Sequence, residues 1–460
     1  MTAAPGAVPL RVAVIGSGPA GIYTADALAK SGRAVEVDVI DLLPTPYGLV
    51  RYGVAPDHQK IKSITRTLHE VLETPGVRFL GNTRYGADLT LDDLRAHYPA
   101  VVIATGAPHD RRLGIVGEDL PGSVSAPEVV AWYSGRPGSV APPLHARSVA
   151  VIGAGNVALD IARVFAKGSA GLAMTDMPEH VHDAFRSVAV TDVHLVIRRG
   201  PADVKFTPLE LREMAALPGV GVIVEPADVA IEAAATLPAE AKRPVRTMTE
   251  LFATWAGAAP TGAPVRVTFH FLRRPVELIG TDHVEAIRLE RCVPDGAGGV
   301  TGTGETETIP AELVVRSVGY RGAPVADLPF DQATATLPHQ TGRVVRSAGV
   351  GVAGVELAGV YVAGWIKRGP TGVIGTNKAD AAETVRTLLA DAESGRLRPV
   401  SEERDAVISL LDSRGVDYTL WDGWLRLDAA ELEAGRLAGR DRTKLGELEH
   451  MLRIARRPRQ

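Results

Sequence analysis

The chain has one cysteine in 460 residues, Cys292. A disulfide scaffold, a cysteine-ligated iron–sulfur cluster and a redox-active CxxC pair each need more than one, so all three are excluded. Cys292 reads as an inert, half-buried residue after a strand. Positive charge is not in excess: 50 Lys and Arg stand against 54 Asp and Glu, a formal net charge of −4. That balance gives no sign of nucleic-acid affinity, and a basic patch for an acidic partner has to be local. No apolar run reaches the roughly 18 residues of a bilayer-spanning helix, so no membrane insertion is expected. The first residues, Met1 to Ala7, have neither a basic start nor an apolar stretch. No signal peptide is expected there, and the cytoplasm is the default location. What remains is the composition of a globular enzyme, 45% hydrophobic and 23% charged. The length allows two or three domains.

The chain does have two dinucleotide-binding fingerprints. The first, Gly16-Ser17-Gly18-Pro19-Ala20-Gly21, comes directly after the apolar run Val12-Ala13-Val14-Ile15. The second, Gly153-Ala154-Gly155-Asn156-Val157-Ala158, comes directly after Val149-Ala150-Val151-Ile152. At each site a strand ends in a tight turn that needs glycine. The next glycine lets the backbone approach a pyrophosphate, and the last small residue lets helix and strand pack closely. The helix N-terminus then faces the negative charge. One such motif is weak evidence. Two imply a protein that holds two nucleotides and moves electrons between them.

The strand after each fingerprint separates the two sites. Val35–Ile40 ends at Asp41, an acid placed to hydrogen-bond a ribose diol, as in FAD or NAD. Val193–Ile197 ends at Arg198 and Arg199. A carboxylate there would repel a 2′-phosphate, whereas two guanidiniums would clamp it, so the second site reads as NADP. The alternative for Arg198 and Arg199 is a solvated strand end.

A Pro/Gly/Tyr-rich loop covers residues 42–59, long enough inside a compact domain to be functional. A helix is predicted through Ile61, Ile64, Leu68 and Leu72, stopped by Pro75-Gly76. Further strands are predicted at 77–80, 100–104, 265–272, 284–289, 312–318 and 360–365. Residues 167–190 read as an insertion, and 226–264 as a helix-loop excursion. A helix is expected to start between Gly372 and Thr376. The tail, 400–460, names no chemistry. The expected fold is α/β, with two Rossmann-like three-layer dinucleotide-binding domains. Residues 1–108 and 325–460 form the FAD domain, and 109–324 an inserted NADP domain.

Several runs resemble the adrenodoxin-reductase family and its bacterial NADPH–ferredoxin reductase relatives. They are Leu43–Arg51, Gly53–His58, Gly155–Asp160, Arg198–Pro201, Arg316–Tyr320 and, longest, Trp365–Lys378. The resemblance implies a glutathione-reductase-like split architecture. It implies FAD and NADP(H) as cofactors, with hydride passed from NADPH to the flavin and single electrons released to a ferredoxin-type iron–sulfur protein. Cytochrome P450s are one option downstream. Two departures stand out: Asp41 where the family often has glutamate, and Gln59 where proline is common.

On the FAD side the resemblance and the fingerprint together point to Gly16, Gly18, Pro19, Ala20, Gly21, Asp41 and Leu42. To these are added Gly48, Leu49, Ala104, Thr105 and Gly106, then Gly364, Trp365, Gly372, Val373 and Ile374. The NADP side takes Gly153, Gly155, Asn156, Val157, Arg198, Arg199, Glu210 and Gly372. Trp365 is expected beside the flavin, where nicotinamide must dock. Backbone N–H groups of the 369–377 turn would face the flavin edge, where a positive helix end stabilises negative charge. Thr207-Pro208-Leu209-Glu210 has the form of a capping box, which makes Glu210 first of all a cap. The resemblance puts Glu213 near the nicotinamide, opposite His58, so His58, Glu213 and Trp365 are the candidate catalytic residues. Lys62 and Arg66, with Lys60, Arg111 and Arg112, are candidates for steering an acidic ferredoxin. A monomer is expected. Rival readings are a glutamate-synthase-like flavin subunit, which would carry an N-terminal cysteine-rich segment, a flavin monooxygenase and a non-enzymatic redox sensor.

Overall fold

The computed structural model of the chain describes residues 8–234, 243–258, 262–346, 354–400 and 403–456. The middle of the 226–264 excursion and the side chain of Lys60 lie outside the described residues.

Two large sheets organise the molecule. The first has seven strands, in the order His339–Gln340, Arg343–Arg346, Val355–Val362, Ala100–Ile103, Leu10–Ile15, Val35–Ile40 and Val77–Leu80. It takes strands from both ends of the chain. The five strands from Val355–Val362 to Val77–Leu80 are parallel, with Val12 opposite Ala100 and Leu10 opposite Val35. Leu10–Ile15 is buried along its whole length, as a parallel strand covered on both faces must be. Val12 and Val14 pack with Ile22, Leu28 and Leu388 on one face. Ala13 and Ile15 pack with Leu91, Leu94 and Leu411 on the other.

The second sheet has six parallel strands, in the order Ser123–Ser125, Leu313–Arg316, Ser148–Ile152, Asp192–Ile197, Val265–Phe271 and Val220–Val224. Helices cover one face, where Val149 and Val151 meet Leu159 and Phe165. A three-stranded antiparallel sheet, Arg273–Ile279, Ala286–Pro294 and Val300–Pro310, covers the other. Its Leu278, Ile287 and Leu289 close over Ala150, Ile152 and Val196. Only its middle strand is expected from the sequence. Val300–Pro310 is almost wholly polar and largely exposed, so it lacks the alternation that marks a half-buried strand.

Two short strands join the halves. His109–Asp110 and Tyr320–Arg321 run antiparallel, Tyr320 opposite Asp110, so the chain leaves and returns side by side. Buried Arg316 fastens the crossing through Asp110 (3.1 Å) and Ser123 Oγ (2.8 Å).

Two local expectations change, and the tail acquires a place in the fold. The helix expected through Ile61 and Leu72 is two helices, Gln59–Lys62 and Ile64–Leu72. The break adjoins Lys62, whose ammonium is drawn back to Pro56 O (3.2 Å). The last strand ends at Val362 rather than Trp365, because Gly364, at φ +80°, turns the chain into the short helix Trp365–Arg368. The tail is part of the core: Trp424 and Leu427, from the helix Trp421–Leu437, and Met451 pack into the layer that holds Val12.

Candidate functional site

The first fingerprint forms a backbone cradle that side chains would fill. Gly16 sits at φ +110°, and a Cβ there would lie 2.4 Å from Ala104 O. A Cβ on Gly21 would lie 1.9 Å from Gly16 O, which is the close helix–strand packing the motif requires. The helix Pro19–Ala29 opens here with proline in its first turn. The 42–58 loop folds over this turn: Tyr47 N donates to Ser17 O (2.9 Å), and a Cβ on Gly48 would meet Gly18 Cα at 2.9 Å. Gly364, from the far end of the chain, closes the cradle, with a Cβ there falling 2.5 Å from Ala20 Cβ. Gly106 lies under open space. Leu42, Leu49 and Val373 stay exposed around it.

Asp41 stands at the end of its strand. Its Oδ2 accepts from Ser17 N (2.7 Å) and Ser17 Oγ (2.6 Å), and its Oδ1 from Leu43 N (3.0 Å). Burial raises its pKa, opposed by these bonds and by Arg136. A carboxylate oxygen that accepts one bond keeps a lone pair for a ribose hydroxyl. Beyond Leu42 the surface opens into a cleft of about 730 Å³ lined by Leu43, Asn82, Arg136 and Arg414, among others. A glycine cradle at a helix N-terminus, with an acid at the next strand end, fits the pyrophosphate and ribose of FAD.

The second fingerprint repeats the design with different chemistry at its rim. Gly153, at φ +152°, would bring a Cβ to 2.3 Å from Ser317 O, while Gly155 lies under open space at the start of the helix Asn156–Leu172. Asn156 is exposed and Val157 half-buried. Arg198 is exposed and Arg199 half-buried at the end of Asp192–Ile197. The backbone of Lys205 is tied to the same turn, its main-chain N–H donating to Ala154 O (2.8 Å), and the residue is exposed. Nothing in the spacing of Lys205 marks it in the sequence. This rim fits a nucleotide that carries an extra phosphate.

Between the two sites runs a chain of charge. His58 Nε2 meets Asp160 Oδ1 at 2.9 Å. Arg163, almost fully buried, binds Asp57 through two nitrogens (2.8 and 2.9 Å) and Asp160 at 2.7 Å. Lys167 binds Asp57 at 2.5 Å. The loop of the first site is thereby bonded to the first turns of the second site's helix. The bond to Asp160 raises the His58 pKa, against the effect of burial. Asp57 is held well below the usual carboxylate range: burial opposes this, but its bonds to Arg163 and Lys167 win. Trp365 packs on Tyr320 of the crossing strand, ring centroids 5.3 Å apart, and burial pushes the Tyr320 hydroxyl up to about 12.

Comparison with known proteins agrees with this geometry. The pyridine nucleotide-disulphide oxidoreductase model matches residues 10–373. NADPH-ferredoxin reductase FprA of Mycobacterium tuberculosis is 42% identical over 465 residues, covering 97% of this chain and 99% of the relative. The mitochondrial NADPH:adrenodoxin oxidoreductase of Salvelinus fontinalis is 38% identical, covering 99% of this chain and 93% of the relative. The chain belongs to the adrenodoxin-reductase-type family of NADPH–ferredoxin reductases. The solved structure of Mycobacterium tuberculosis FprA in complex with NADPH superposes with a TM-score of 0.89 at 41% identity, covering 97% of this chain and 100% of that one.

Two of the steering candidates, Lys62 and Arg112, are engaged in ion pairs, and Glu210 caps its helix as the sequence predicts. His58 is partnered by Asp160, while Glu213 is exposed on the helix Pro208–Ala215. Asp160 is the last residue of the run Gly155–Asp160, but no local pattern shows that it faces a loop a hundred residues earlier. Glu210 is used as a cap: Thr207 N donates to its Oε2 (3.1 Å), and its own N–H donates to Thr207 Oγ1 (3.3 Å). Lys62 is not a surface cation for steering a partner, because its ammonium is half-buried against Asp176 (2.7 Å). Arg112 is engaged by Asp119 (2.5 Å) and Glu118 (3.3 Å). Arg66 is exposed.

The His58–Asp160 contact has a titration consequence. His58 has a folded-state pKa above the ordinary 6.5. The stability its protonation contributes is therefore full below that value, and is lost as pH rises through the raised one. In Asp160→Asn the His58 ring is expected to titrate at lower pH than in the wild type, followed by NMR of the ring protons. An unmoved titration would contradict the assignment of Asp160 as the cause.

Proposed function

We propose that this chain is an FAD-dependent NADPH:ferredoxin oxidoreductase. Residues 1–108 and 325–460 hold FAD, and residues 109–324 hold NADP(H). The observation that carries the reading is the pair of unlike fingerprints, one rimmed by Asp41 and the other by Arg198 and Arg199, with a bonded bridge between them. When bound, FAD would supply the redox chemistry, namely hydride acceptance from NADPH and one-electron release to an iron–sulfur protein.

The chain's own residues bind, orient and exclude water. Gly16, Gly18, Gly21, Gly48 and Gly364 keep the cradle free of side chains. Ala20, the 104–106 turn and the 372–374 turn border it. Asp41 takes the ribose. Gly153, Gly155, Asn156 and Val157 receive the second pyrophosphate, and the Arg198–Arg199 pair selects the 2′-phosphate. Trp365, held by Tyr320, gives the nicotinamide a flat apolar wall. His58 holds a proton on its ring, kept there by Asp160, and fixes the loop against the second helix. Glu213, exposed on the helix Pro208–Ala215, is the acid assigned to the nicotinamide side in this reading. Hydride transfer needs no nucleophile, so His58 and Glu213 set position and proton access rather than making or breaking bonds.

The ferredoxin-type partner is the acceptor in this reading. Among the described residues no helix is long and apolar enough to cross a membrane. The purified chain is expected to be yellow, to release FAD on denaturation, and to bleach anaerobically with NADPH far faster than with NADH. Release of FMN, or equal bleaching by both nucleotides, would overturn the assignment of the two sites.

A further inference from the structure

The tail segment from Arg440 to Gly446 lies between two parts of the chain that must keep register. One is the flavin-side loop with its short helix, residues 51–62. The other is segment 173–180, just beyond the helix of the second fingerprint. Arg440 donates from Nε to Ala173 O (2.8 Å) and pairs through Nη1 with Glu179 (2.9 Å). Lys444 N donates to Asp176 O (3.1 Å). A Cβ on Gly446 would stand 2.5 Å from the His180 ring.

Lys444 makes the junction three-sided. Its side chain is 2% exposed. Its ammonium donates to Arg51 O on the flavin side (2.9 Å) and pairs with Asp176 on the nucleotide side (3.3 Å). The other oxygen of Asp176 accepts from Lys62 (2.7 Å). Burial, opposed by Asp176, pushes the Lys444 pKa down to about 7, with the Lys62 and Arg51 cations adding to the drop. Glu431 faces the same group.

A buried ammonium is tolerated only while it is paired. Each of the three segments here supplies what another needs, so none can shift alone without stranding a charge. The junction also sits at both ends of the bridge between the nucleotide sites. Lys62 N donates to His58 O (3.3 Å), and Asp176 lies just beyond the helix that carries Asp160.

We propose that Lys444, with Asp176 and Lys62, is a positioning clasp by which the tail holds the NADP-binding half in register with the flavin-side loop for hydride transfer. This rests on the reading of the chain as an NADPH-reduced flavoprotein. Hydride transfer depends steeply on placement, so loosening the register slows transfer without weakening the binding of either nucleotide.

The test is Lys444→Met in the FAD-loaded protein. FAD content and the Kd for NADPH are expected to hold, while the stopped-flow rate of flavin bleaching by NADPH falls about tenfold or more. Dithionite-reduced variant should still pass electrons to ferredoxin at the wild-type rate. Independently of activity, amide hydrogen exchange is expected to rise in 55–62 and 173–180 together. Exchange that rises in 440–446 alone, or an unchanged bleaching rate, would overturn the clasp. Should Lys444→Met fail to load FAD, Arg440→Gln decides: it is expected to slow bleaching in the same sense but less, and wild-type behaviour in both readouts would overturn the idea. A wild-type protein that NADPH does not bleach would remove the functional reading, while the exchange experiment would still report on the clasp.

Discussion

Arg198→Ala/Arg199→Ala is expected to lose at least about a hundredfold in kcat/KM for NADPH while changing little with NADH. Charge-assisted bonds to a phosphate are each worth about 1.5–3 kcal/mol, and about 1.4 kcal/mol is a factor of ten. Two guanidiniums clamping one 2′-phosphate would therefore supply about two decades or more of discrimination. The loss should fall on the 2′-phosphate alone, because in the proposed site Gly153, Gly155 and the helix N-terminus would serve the pyrophosphate common to both nucleotides. Steady-state kinetics with both nucleotides checks it. An equal loss with NADH would mean that the arginines act on something shared, and the site would not be selecting for NADP.

The second large effect is expected where the tail meets the flavin-side loop. Glu431 is fully buried and accepts from Arg51, Arg442 (2.8 Å) and Leu445 N (2.8 Å). Arg51 belongs to the flavin-side loop and lies over the Trp424 ring, its guanidinium carbon 5.3 Å from the centroid. Glu431→Ala leaves the buried Arg51 unpaired, and is expected to cost about 3–5 kcal/mol of stability. The pH dependence has a definite sign. Burial raises the Glu431 pKa, but the Arg51 and Arg442 cations and the bonds it accepts outweigh this and lower it. Its contribution is therefore present above the ordinary carboxylate value of 4.5 and is lost as pH falls through the lowered one. Denaturant unfolding of wild type and variant at neutral and acid pH should show a gap that narrows on acidification. A constant gap would indicate lost packing rather than a lost ion pair.

The sequence is informative where the chemistry is local and silent where partners are distant along the chain. The fingerprints are legible because their chemistry is local. Gly16 and Gly153 need positive φ and close backbone approach, and the residues that name the nucleotide stand at the end of the next strand. The capping box at Thr207 is legible for the same reason. The Arg51–Glu431 pair joins residues 380 apart, and His58 and Asp160 are 102 apart. No spacing rule reaches across such distances, so the partner of His58 and the role of the tail emerge only in three dimensions. Lys62 shows the opposite error. Its helical position beside Arg66 suggests a solvated cationic face, yet Asp176, brought in from the other half, draws it inward. The strand Val300–Pro310 escapes sequence reading because it pairs at an exposed edge, where polar residues carry no periodicity.

Electrons from NADPH are expected to leave this protein one at a time on a ferredoxin. The direct measurement is anaerobic: reduce the FAD-loaded protein with NADPH in a stopped-flow cell, add a low-potential ferredoxin, and monitor the flavin and iron–sulfur absorbances together. The expected result is rapid flavin bleaching, then ferredoxin reduction coupled to flavin reoxidation, with a rate that falls as salt screens the encounter with an acidic partner. Flavin that bleaches with NADPH but stays reduced in the presence of ferredoxin would contradict the claim. It would leave two nucleotide sites serving some other acceptor.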